Sequence, residues 1–551
     1  DIPVIDHRRA GFTLIEMLVS AALTIIIMLM FAQVYQVAGE SVAKQKGIAE
    51  NDQRSRMLTT IIQNDLRSRS FKVITPFLPG ETNVINRRGR GYFYYSENDP
   101  INDADDILQF TVELSGDSEP LTGRATRIGA TTDVHQPEAD DGRIVFPAGV
   151  PELEENRTGA SLAAEVSYFL RRGNLYRRVL LLRQPLELST NAGPDGARVQ
   201  PEDSTLPIPN PLITGPYADS FWELFDYSAH HYAIDNHPLF HGVTSLTNDG
   251  SVTFPLAFPY YRFGHDHLSG NPREFVTAGG ADFIGRFTHE ETSHAAFDYP
   301  GSGASSPMAA GTPLTYDSSL GVVAEFVNGS RRGDDILMSN VHSFDVKLWD
   351  REYDEDANNN DILDSGEDLN RNGVLDTPPA GAPPRSAGAF ADVGHAAAAG
   401  TFRHAANQLP NYGPNAPDNR VFDTWHPGVD FDDDNGDLDP ANGTPDPPPF
   451  RPIAPPWTPL TPYNVGDVVE PVPPNGFYYR CVTAGTSGGP GPDSPLYPGN
   501  FEPFQEGSLG TEVTWVIEAH IPAIQITIRF YDVSSNQMRQ LTLVQSLTGA
   551  N

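Results

Sequence analysis

Oxygen-bearing side chains recur at regular spacing along residues 356–367. Carboxylates and amides stand at the first, third, fifth, ninth and twelfth places, and the apolar Leu363 stands at the eighth. This is the ligand spacing of a twelve-residue calcium loop, in which the seventh residue supplies its main-chain carbonyl. The pattern predicts a calcium site with the ligands Asp356, Asn358, Asn360, Ile362, Asp364 and Glu367.

A second unit of the same kind follows directly. It has a turn glycine, Gly373, at the sixth place, where the first unit has Asp361, but Pro379 replaces the closing glutamate. Because proline cannot continue a helix, the tandem resembles dockerin-like or thrombospondin-type calcium loops. The alternative is a solvated acidic loop without metal, and a less regular acidic run at 430–439 is a further candidate. The predicted ligands of the second unit are Asp368, Asn370, Asn372, Val374 and Asp376.

The overall charge suits calcium and argues against nucleic acid. Acidic residues outnumber basic residues by 72 to 37 over 551 residues, which gives a net charge of −35. Such a field repels phosphate backbones, so no nucleic-acid partner is expected. The 49 glycines and 49 prolines indicate long loops and short strands, and the single Cys481 excludes an internal disulfide framework.

No stretch of the chain indicates enzymatic chemistry. The sequence lacks a nucleophile elbow, a phosphate-binding loop, a zinc-protease helix and a dinucleotide fingerprint. Its carboxylate pairs follow calcium-type spacing rather than facing each other in an apolar cleft. The histidines between His230 and His294 could form a zinc site, but their spacing does not repeat, and loop histidines beside aromatic residues explain them better. We therefore expect a protein that is not an enzyme.

The N-terminal segment combines a small-residue junction, one carboxylate and a long apolar run. As a helix, residues 12–35 would extend about 36 Å, enough to cross a membrane, and the basic group at residues 7–9 would keep the N-terminus cytoplasmic. Glu16 would then lie in the membrane, where a carboxylate costs about 2.5–3.5 kcal/mol and needs a partner. Cleavage after Gly11 would create that partner, a free amine at Phe12. The alternative, a plain signal anchor, leaves the Gly11-Phe12 junction unexplained.

Residues 11–19, Gly-Phe-Thr-Leu-Ile-Glu-Met-Leu-Val, resemble the type IV prepilin cleavage and methylation motif residue for residue. The resemblance implies that a membrane-embedded aspartic peptidase cuts after Gly11 and methylates Phe12, and that Glu16 guides subunits into a helical filament. The implied partners are prepilin peptidase, other pilins or pseudopilins, and the bacterial inner membrane, with a periplasmic body. The sequence begins with Asp1 rather than Met, so we expect a longer leader.

An amphipathic helix is predicted beyond the membrane segment. Apolar residues repeat there at three- and four-residue spacing, and the helix should end before Pro76. Gly39 and Gly47 weaken its middle and would allow a bend. The predicted apolar face consists of Met57, Leu58, Ile61, Ile62 and Leu66.

Alternation of apolar and polar residues predicts antiparallel strands after this helix. A short turn, Arg172-Gly173-Asn174, suggests a hairpin, and four residues of a later strand share one face: His342, Phe344, Val346 and Leu348. One long helix followed by antiparallel strands indicates an α+β fold. The predicted strands are 108–114, 165–171, 175–183, 341–349, 524–531 and 541–547.

Looser resemblances follow the same elements. Residues 64–67 (Asn-Asp-Leu-Arg), the hairpin at 166–180 and the strand at 521–524 are similar to J-type minor pseudopilins of type II secretion and to W-type minor pilins. These resemblances and the size of the body favour a minor structural subunit, which would recognise other subunits or a secreted cargo. The competing hypothesis is a membrane-anchored adhesin or carbohydrate-binding protein that uses the pilin helix for export.

Residues 451–516 resemble small β modules of the chitin-binding, carbohydrate-binding type. In that family exposed aromatic rings stack on sugars, and the candidates here are Trp457, Tyr478 and Tyr479. The same rings could instead form the core of so small a sheet, because aromatic residues dominate small cores. Cys481 is expected to pack as a small apolar residue.

These predictions divide the chain into seven segments. The fold class is α+β, with a long N-terminal transmembrane and amphipathic helix packed on a pilin-like antiparallel sheet that carries large loop-rich β insertions. The segments are the leader (1–11), the transmembrane helix (12–35), its amphipathic continuation (36–75), a pilin-like β domain with long loops (76–350), the acidic calcium-loop insertion (351–450), the small β module (451–516) and the C-terminal strands that complete the pilin-like sheet (517–551).

Overall fold

The structure is a computed structural model, and every structural statement below refers to the residues that it describes. These are residues 13–71, 91–99, 102–115, 118–125, 158–182, 221–232, 237–241, 256, 259–265, 272–273, 286–297, 314–317, 319–350, 362–363, 389–392, 421–424, 456–465, 467–469, 472, 479–489, 504–508, 510–517, 521, 523–533 and 535–547.

Helix α1, Leu14–Arg67, is one continuous helix of 54 residues. It runs through Gly39 and Gly47 without interruption, because two isolated glycines cost only about 1 kcal/mol each relative to alanine. On the predicted apolar face Leu58, Ile62 and Leu66 are buried, each about one turn after the last. Met57 is 63% exposed instead, since it lies about 100° around the helix from Leu58.

Two further helices of a single turn occur in the described residues, α2 (Phe221–Leu224) and α3 (His289–Thr292), together with 3-10 turns at Pro259–Tyr261 and Ala324–Phe326. Helix α3 begins with a capping box. The Thr288 hydroxyl accepts a hydrogen bond from the N–H of Glu291, and the Glu291 carboxylate accepts one from the N–H of Thr288 (2.7 Å). Both main-chain donors at the start of this turn are thereby satisfied.

The rest of the described secondary structure is strand, which confirms the α+β class. The strands are β1 (Phe93–Ser96), β2 (Ile107–Glu113), β3 (Leu121–Arg124), β4 (Thr158–Ser161), β5 (Ala163–Arg171), β6 (Asn174–Leu181), β7 (Ala229–Tyr232), β8 (His237–Phe240), β9 (Tyr316–Asp317), β10 (Val322–Val323), β11 (Ile336–Ser339), β12 (Val341–Asp350), β13 (Ala389–Ala391), β14 (Val421–Asp423), β15 (Pro462–Tyr463), β16 (Val468–Val469), β17 (Tyr479–Thr483), β18 (Gly485–Thr486), β19 (Phe504–Glu506), β20 (Val513–Ile517), β21 (Ala523–Asp532) and β22 (Gln537–Ser546).

The chain divides into two compact units. The first comprises residues 1–58 and 531–539, and within it the guanidinium of Arg539 lies 2.5 Å from Asp52 and 3.1 Å from Asp532. This ion-pair group ties the start of β22 to α1 inside that unit. The second unit comprises residues 59–530 and 540–551 and holds the six-stranded sheet and most of the four-stranded sheet.

The larger sheet has six antiparallel strands in the order β11-β6-β5-β2-β1-β14. Its residues alternate between two sides, because successive side chains of a strand point in opposite directions. One side carries Phe110 and Tyr168, whose rings stack with their centroids 6.4 Å apart, and Tyr168 also stacks on Phe344 of β12. We call this the helix-facing side, since Tyr168 also bonds Asp65 of α1.

The opposite side, which we call the loop-facing side, carries the polar residues of the predicted alternation. Gln109, Thr111 and Glu165 are nevertheless fully buried. The Gln109 amide donates to the Phe263 carbonyl (3.1 Å), and the Glu165 carboxylate accepts from the Ser228 hydroxyl. Segments between residues 221 and 335 therefore cover this side, so both faces of the sheet are buried.

The β5–β6 hairpin has the predicted turn. Arg172 and Gly173 join the two strands, and their φ values are 45° and 72°. Two consecutive residues in the left-handed region give a type I′ turn, whose twist matches that of the flanking strands. Strand β6 ends at Leu181 rather than at the predicted Arg183.

A four-stranded sheet follows the order β13-β12-β21-β22. The alternation from which the strand at 524–531 was predicted is confirmed in β21, since Ile524, Ile526, Ile528 and Phe530 are buried. The prediction for His342 was wrong, because this side chain is exposed. The register of β12 against β21 shifts between Val341 and Ser343, and this bulge turns His342 away from the face that its neighbours share.

Two short strands come from the stretch predicted as an acidic insertion, residues 351–450. Strand β13 pairs with β12, and β14 pairs with β1, so this stretch supplies one edge strand to each large sheet. The division of the chain into seven segments stays a prediction, and the structure adds that the insertion is joined to both sheets.

The small β module has its own sheet, in the order β16-β17-β20-β19, with the pair β15-β18 beside it. Its core consists of seven buried residues, and Tyr463 and Trp515 meet edge to face within it, with ring centroids 4.9 Å apart. Cys481 is buried there, as expected for a small apolar residue. The core residues are Trp457, Tyr463, Val469, Tyr479, Cys481, Val513 and Trp515.

A bidentate ion pair fixes the end of α1 to the helix-facing side of the six-stranded sheet. The Arg177 guanidinium donates to both oxygens of Asp65, from Nε to Oδ2 at 2.7 Å and from Nη2 to Oδ1 at 2.8 Å. The Tyr168 hydroxyl donates to the same carboxylate. The helix motif at residues 64–67 and the hairpin at 166–180, which the sequence singled out separately, thus meet in one contact.

Replacement of Arg177 by methionine is expected to lower the free energy of unfolding by about 2 kcal/mol or more, because the largely buried Asp65 would lose its cation. Chemical denaturation of the detergent-solubilised chain measures this. Arg529→Met is the matched control, since Arg529 forms an exposed pair with Asp103 (3.0 Å) and such pairs contribute under about 1 kcal/mol. Equal losses in the two variants would contradict the anchoring role.

Candidate functional site

The start of α1 holds the predicted assembly residue, Glu16. Its Oε2 accepts hydrogen bonds from the N–H and the hydroxyl of Thr13, each at 2.9 Å, and the Thr13 hydroxyl accepts from the N–H of Glu16 at 3.3 Å. This is a capping box, which satisfies main-chain donors that the helix itself cannot. Gly11 and Phe12, the predicted cleavage and methylation residues, lie outside the described residues.

The segment after Glu16 is long and apolar enough to cross a membrane, and its side chains are exposed in the single chain. The next charged residue is Glu40, about 36 Å away along the helix. Ser20 and Thr24 donate their hydroxyl groups to the carbonyls of Met17 and Ser20, at 2.9 and 2.7 Å. These polar groups are satisfied within the helix, as a lipid environment requires.

Most of the predicted calcium ligands lie outside the described residues. Of the predicted ligand set, the structure describes Ile362, which is 61% exposed, and it also describes the neighbouring Leu363. The two calcium units and the acidic run at 430–439 therefore stay predictions.

Two of the three predicted sugar-stacking residues are buried. Trp457 is 4% exposed and Tyr479 is fully buried, while Tyr478 lies outside the described residues. The indole N–H groups of Trp457 and Trp515 both donate to Oε1 of Glu506, each at 2.7 Å. These rings serve the module as core residues, the second of the two roles that the sequence allowed for them.

Charged pairs are buried between the loop-facing side of the six-stranded sheet and the segments that cover it. Four of the arginines here have an acidic partner, and Glu291 also accepts from the N–H of Val323 at 2.6 Å. Breaking such a pair is costly, because it leaves a buried charge without a counter-charge. The pairs are Arg171 with Glu291, Arg178 with Asp335 (3.8 Å), Arg262 with Asp423 (2.6 Å) and Arg331 with Asp226 (2.5 Å).

A buried serine, histidine and glutamate meet on the same side of the sheet. The Ser228 hydroxyl contacts Glu165 and lies 2.7 Å from Nδ1 of His241. A nucleophilic triad places histidine between the acid and the serine, whereas here the serine hydroxyl stands between the other two. Burial also lowers the pKa of His241 to about 3. All three residues are buried, so the arrangement is a core hydrogen-bond group rather than a catalytic one.

The histidines do not form a metal cluster in the described part of the chain. Among those residues, one group of three metal-ligating side chains converges, and it contains no histidine. Its members are Glu97, Asp105 and Asp106, and one ligand atom from each lies within 4.8 Å of the others.

Sequence reasoning missed these three carboxylates. The acidic run from Glu97 to Asp106 is visible in the chain, but its spacing matches no metal motif. It converges because β1 and β2 are antiparallel neighbours: Ser96 pairs with Ile107, so Glu97 and Asp106 are the next residues outward on the two strands. A predicted β1–β2 hairpin would have been the signal.

Residues 6–32 match the family model of the prokaryotic N-terminal methylation motif. No curated protein and no solved structure matches the chain. The matched residues include Gly11, Phe12 and Glu16 and continue into α1. The match supports the type IV prepilin and pseudopilin family, with membrane anchoring by one N-terminal helix.

Protonation of His241 is expected to destabilise the fold in acid. An unfolded histidine has a pKa near 6.5, whereas burial lowers that of His241 to about 3. The stability that depends on neutral His241 is therefore complete above about pH 6.5, and it is lost as the pH falls toward 3, at about 1.4 kcal/mol per pH unit.

The substitution His241→Gln removes the imidazole that takes up this proton in the unfolded chain. The free energy of unfolding of the parent, minus that of the variant, should stay constant between pH 7 and 8 and fall steadily from pH 6.5 to 4. Denaturant titrations of both proteins at each pH measure the difference. A difference that does not change with pH would contradict the prediction.

Proposed function

We propose that the protein is a minor pilin or pseudopilin, a structural subunit of a type II secretion or type IV pilus-like filament. The observation that carries the proposal is the match of residues 6–32 to the N-terminal methylation motif, which supports a prepilin-like precursor. The geometry of α1 adds support. An exposed apolar segment continues without a break into a helix end that is held by Asp65 and Arg177.

Processing by prepilin peptidase would cut after Gly11 and methylate Phe12. The new amino group would then lie one residue before Thr13, next to the capping box that holds Glu16. The basic residues at 7–9 would leave with the leader. Before cleavage they favour a cytoplasmic N-terminus, and hence an inner-membrane helix with a periplasmic body.

Glu16 would act in assembly as an electrostatic partner. A carboxylate in the membrane is stabilised by a nearby positive charge, and the N-terminal amine of a neighbouring processed subunit supplies one. Thr13 occupies Oε2 of Glu16 within the chain and keeps the carboxylate at the first turn. The Glu16 carboxylate would therefore lie at about the same depth in the membrane as the N-terminal amine that it would bind.

The size of the body supports a minor subunit. Most of the 551 residues follow a helix that is only about 10–12 Å across. A filament in which every packed helix carried such a body would be crowded at its surface. A subunit at the filament tip avoids this constraint, and its body would contact companion subunits or a secreted cargo.

The competing sugar-binding hypothesis gains no support from the buried rings of Trp457 and Tyr479. Catalysis gains none from the buried group of Ser228, His241 and Glu165 either. A structural role is therefore the function that the site supports best.

The assembly role is tested by Glu16→Val in cells that express the companion pilins. The variant should still insert into the membrane, because removing a carboxylate lowers the insertion cost by about 2.5–3.5 kcal/mol. Its recovery with companion pilins after cross-linking should fall at least tenfold. Glu40→Val is the matched control, the same change beyond the apolar segment, and should leave recovery unchanged. Normal recovery of the Glu16 variant would refute the assembly role.

We also propose a structural Ca²⁺ site in the acidic loop at 356–376. The bound ion would rigidify the long loop between β12 and β13. Its ligand spacing supports this role, and so does the pairing of Asp350 with Ala389, which brings the chain before and after the loop together.

Chelation with EGTA is expected to increase proteolytic cleavage within residues 351–388, because the loop would lose the ion that orders it. Glu367→Gln should raise cleavage there without chelator, since it removes the closing carboxylate of the first unit. Glu119→Gln, at an exposed position elsewhere, is the control. Mass spectrometry of the fragments locates the cuts, and a cleavage pattern that ignores EGTA would rule out a structural ion in the loop.

A further inference from the structure

We propose that Glu97, Asp105 and Asp106 form a second cation site, of the calcium class, where the β1–β2 loop meets strand β12. The site is separate from the acidic loop at 356–376, and the proposal does not depend on the role of the chain in a filament. It rests on the convergence of three carboxylates, on a buried oxygen atom that lacks a donor, and on the surrounding charge.

The carboxylates converge because two strands position them. Glu97 follows β1 and Asp106 precedes β2, one step beyond the paired residues Ser96 and Ile107. Asp105 is the neighbour of Asp106. One oxygen from each of the three lies within 4.8 Å of the other two. The strand ends belong to the six-stranded sheet, so the backbone that presents the carboxylates is held in register.

Asp106 is 2% exposed and only partly satisfied by the protein. Its Oδ2 accepts a hydrogen bond from the N–H of Val346 in β12, and the Tyr95 hydroxyl lies 3.4 Å away. Its Oδ1 is buried and has no hydrogen-bond partner among the described residues. A buried carboxylate oxygen without a donor is costly, and a bound cation would remove that cost.

The surrounding charge is strongly negative. Asp345 and Asp392 lie in the same acidic surroundings, and the nearby ammonium of Lys347 is held by these two, at 3.2 Å and 2.6 Å. Three carboxylates therefore converge beside a single ammonium group that two other carboxylates already hold. A divalent cation would balance the charge that this ammonium leaves uncompensated.

The chemistry of the ligands selects the class of ion. Carboxylate oxygens are hard ligands, which favour Ca²⁺ or Mg²⁺ over softer transition metals. Mg²⁺ usually keeps several waters and binds through one or two carboxylates, so three protein carboxylates favour Ca²⁺. The three oxygens lie within 4.8 Å of one another, close enough to share one ion.

An ion here would brace the contact between the two large sheets. The β1–β2 loop already touches β12 through the bond from Val346 to Asp106 and through the N–H of Phe344, which donates to the Asp103 carbonyl at 2.8 Å. A cation would add a charged link at the same place. The inferred role is structural, since the ion would lie where the β1–β2 loop contacts β12.

The test uses the detergent-solubilised full-length chain, stripped with chelator and then titrated with CaCl2. Bound Ca²⁺ is counted by calorimetry, and the thermal midpoint is recorded with and without the ion. Asp106→Asn should bind one ion fewer per chain than the parent and lose part of the calcium-dependent rise in midpoint. Without calcium it should be at least as stable as the parent, because it removes an uncompensated charge.

Two further variants separate this site from its neighbours. Asp103→Asn makes the same charge change in the same loop, outside the group, and should keep the full stoichiometry. Glu367→Gln in the acidic loop should leave the ion at Asp106 in place, so its effect and that of Asp106→Asn should add. If Asp106→Asn does not fold, Glu97→Gln replaces it with the same expectation.

Three outcomes would overturn the proposal. One is an unchanged number of bound ions in both Asp106→Asn and Glu97→Gln. Another is a loss of the same ion in Asp103→Asn, which would point to general charge rather than to a site. The third is an equal rise in thermal midpoint with MgCl2 at the same concentration, which would refute the assignment to calcium.

Discussion

A single helix must satisfy two different surroundings along one backbone. Helix α1 is about 81 Å long, at 1.5 Å for each of its 54 residues. Its first half needs apolar side chains and internally bonded polar groups, whereas its last turns need a defined face and a fixed end. Arg69 completes that end, since its guanidinium donates to the carbonyls of Leu66 (2.7 Å) and Leu547 (2.5 Å). A carbonyl that the helix cannot pair is thus bonded to a side chain that also holds the last strand.

The body depends on buried charge as well as on apolar packing. The helix-facing side of the six-stranded sheet is a stack of aromatic rings, but its loop-facing side holds arginine–carboxylate pairs. Desolvation makes such pairs a poor source of net stability, yet each has strict geometric requirements. These requirements explain how the described parts of residues 221–335 cover the sheet in a defined way. The overall acidity of the chain gives no hint of this, because a net charge does not show which acidic residues are buried and paired.

The features that the sequence predicted are local. The long N-terminal helix, the Arg172-Gly173 turn and the apolar alternation of β21 are each specified by residues a few positions apart. Features that depend on distant pairing were missed, including the three-residue strands β13 and β14, the bulge at His342 and the convergence of Glu97 with Asp106. The polar residues that alternate along β2 would ordinarily indicate a solvent-exposed face. Their burial becomes evident only from the segments that cover this side of the sheet. The same applies to Trp457, whose exposure depends on how the module closes around Glu506.

The pairing of Asp350 with Ala389 has a consequence for how this protein can change. Residues 351–388 connect two residues that are paired in the four-stranded sheet, Asp350 of β12 and Ala389 of β13. They are therefore an insertion whose two ends lie next to each other. Lengthening or shortening this insertion leaves the register of β12 and β13 unchanged, because the paired residues lie outside it. Loop-closure entropy also grows only slowly with length, by about 0.6 kcal/mol for each doubling. A related protein with a longer or shorter segment between β12 and β13 could therefore keep the same sheet. The length of this segment is thus weak evidence for or against homology.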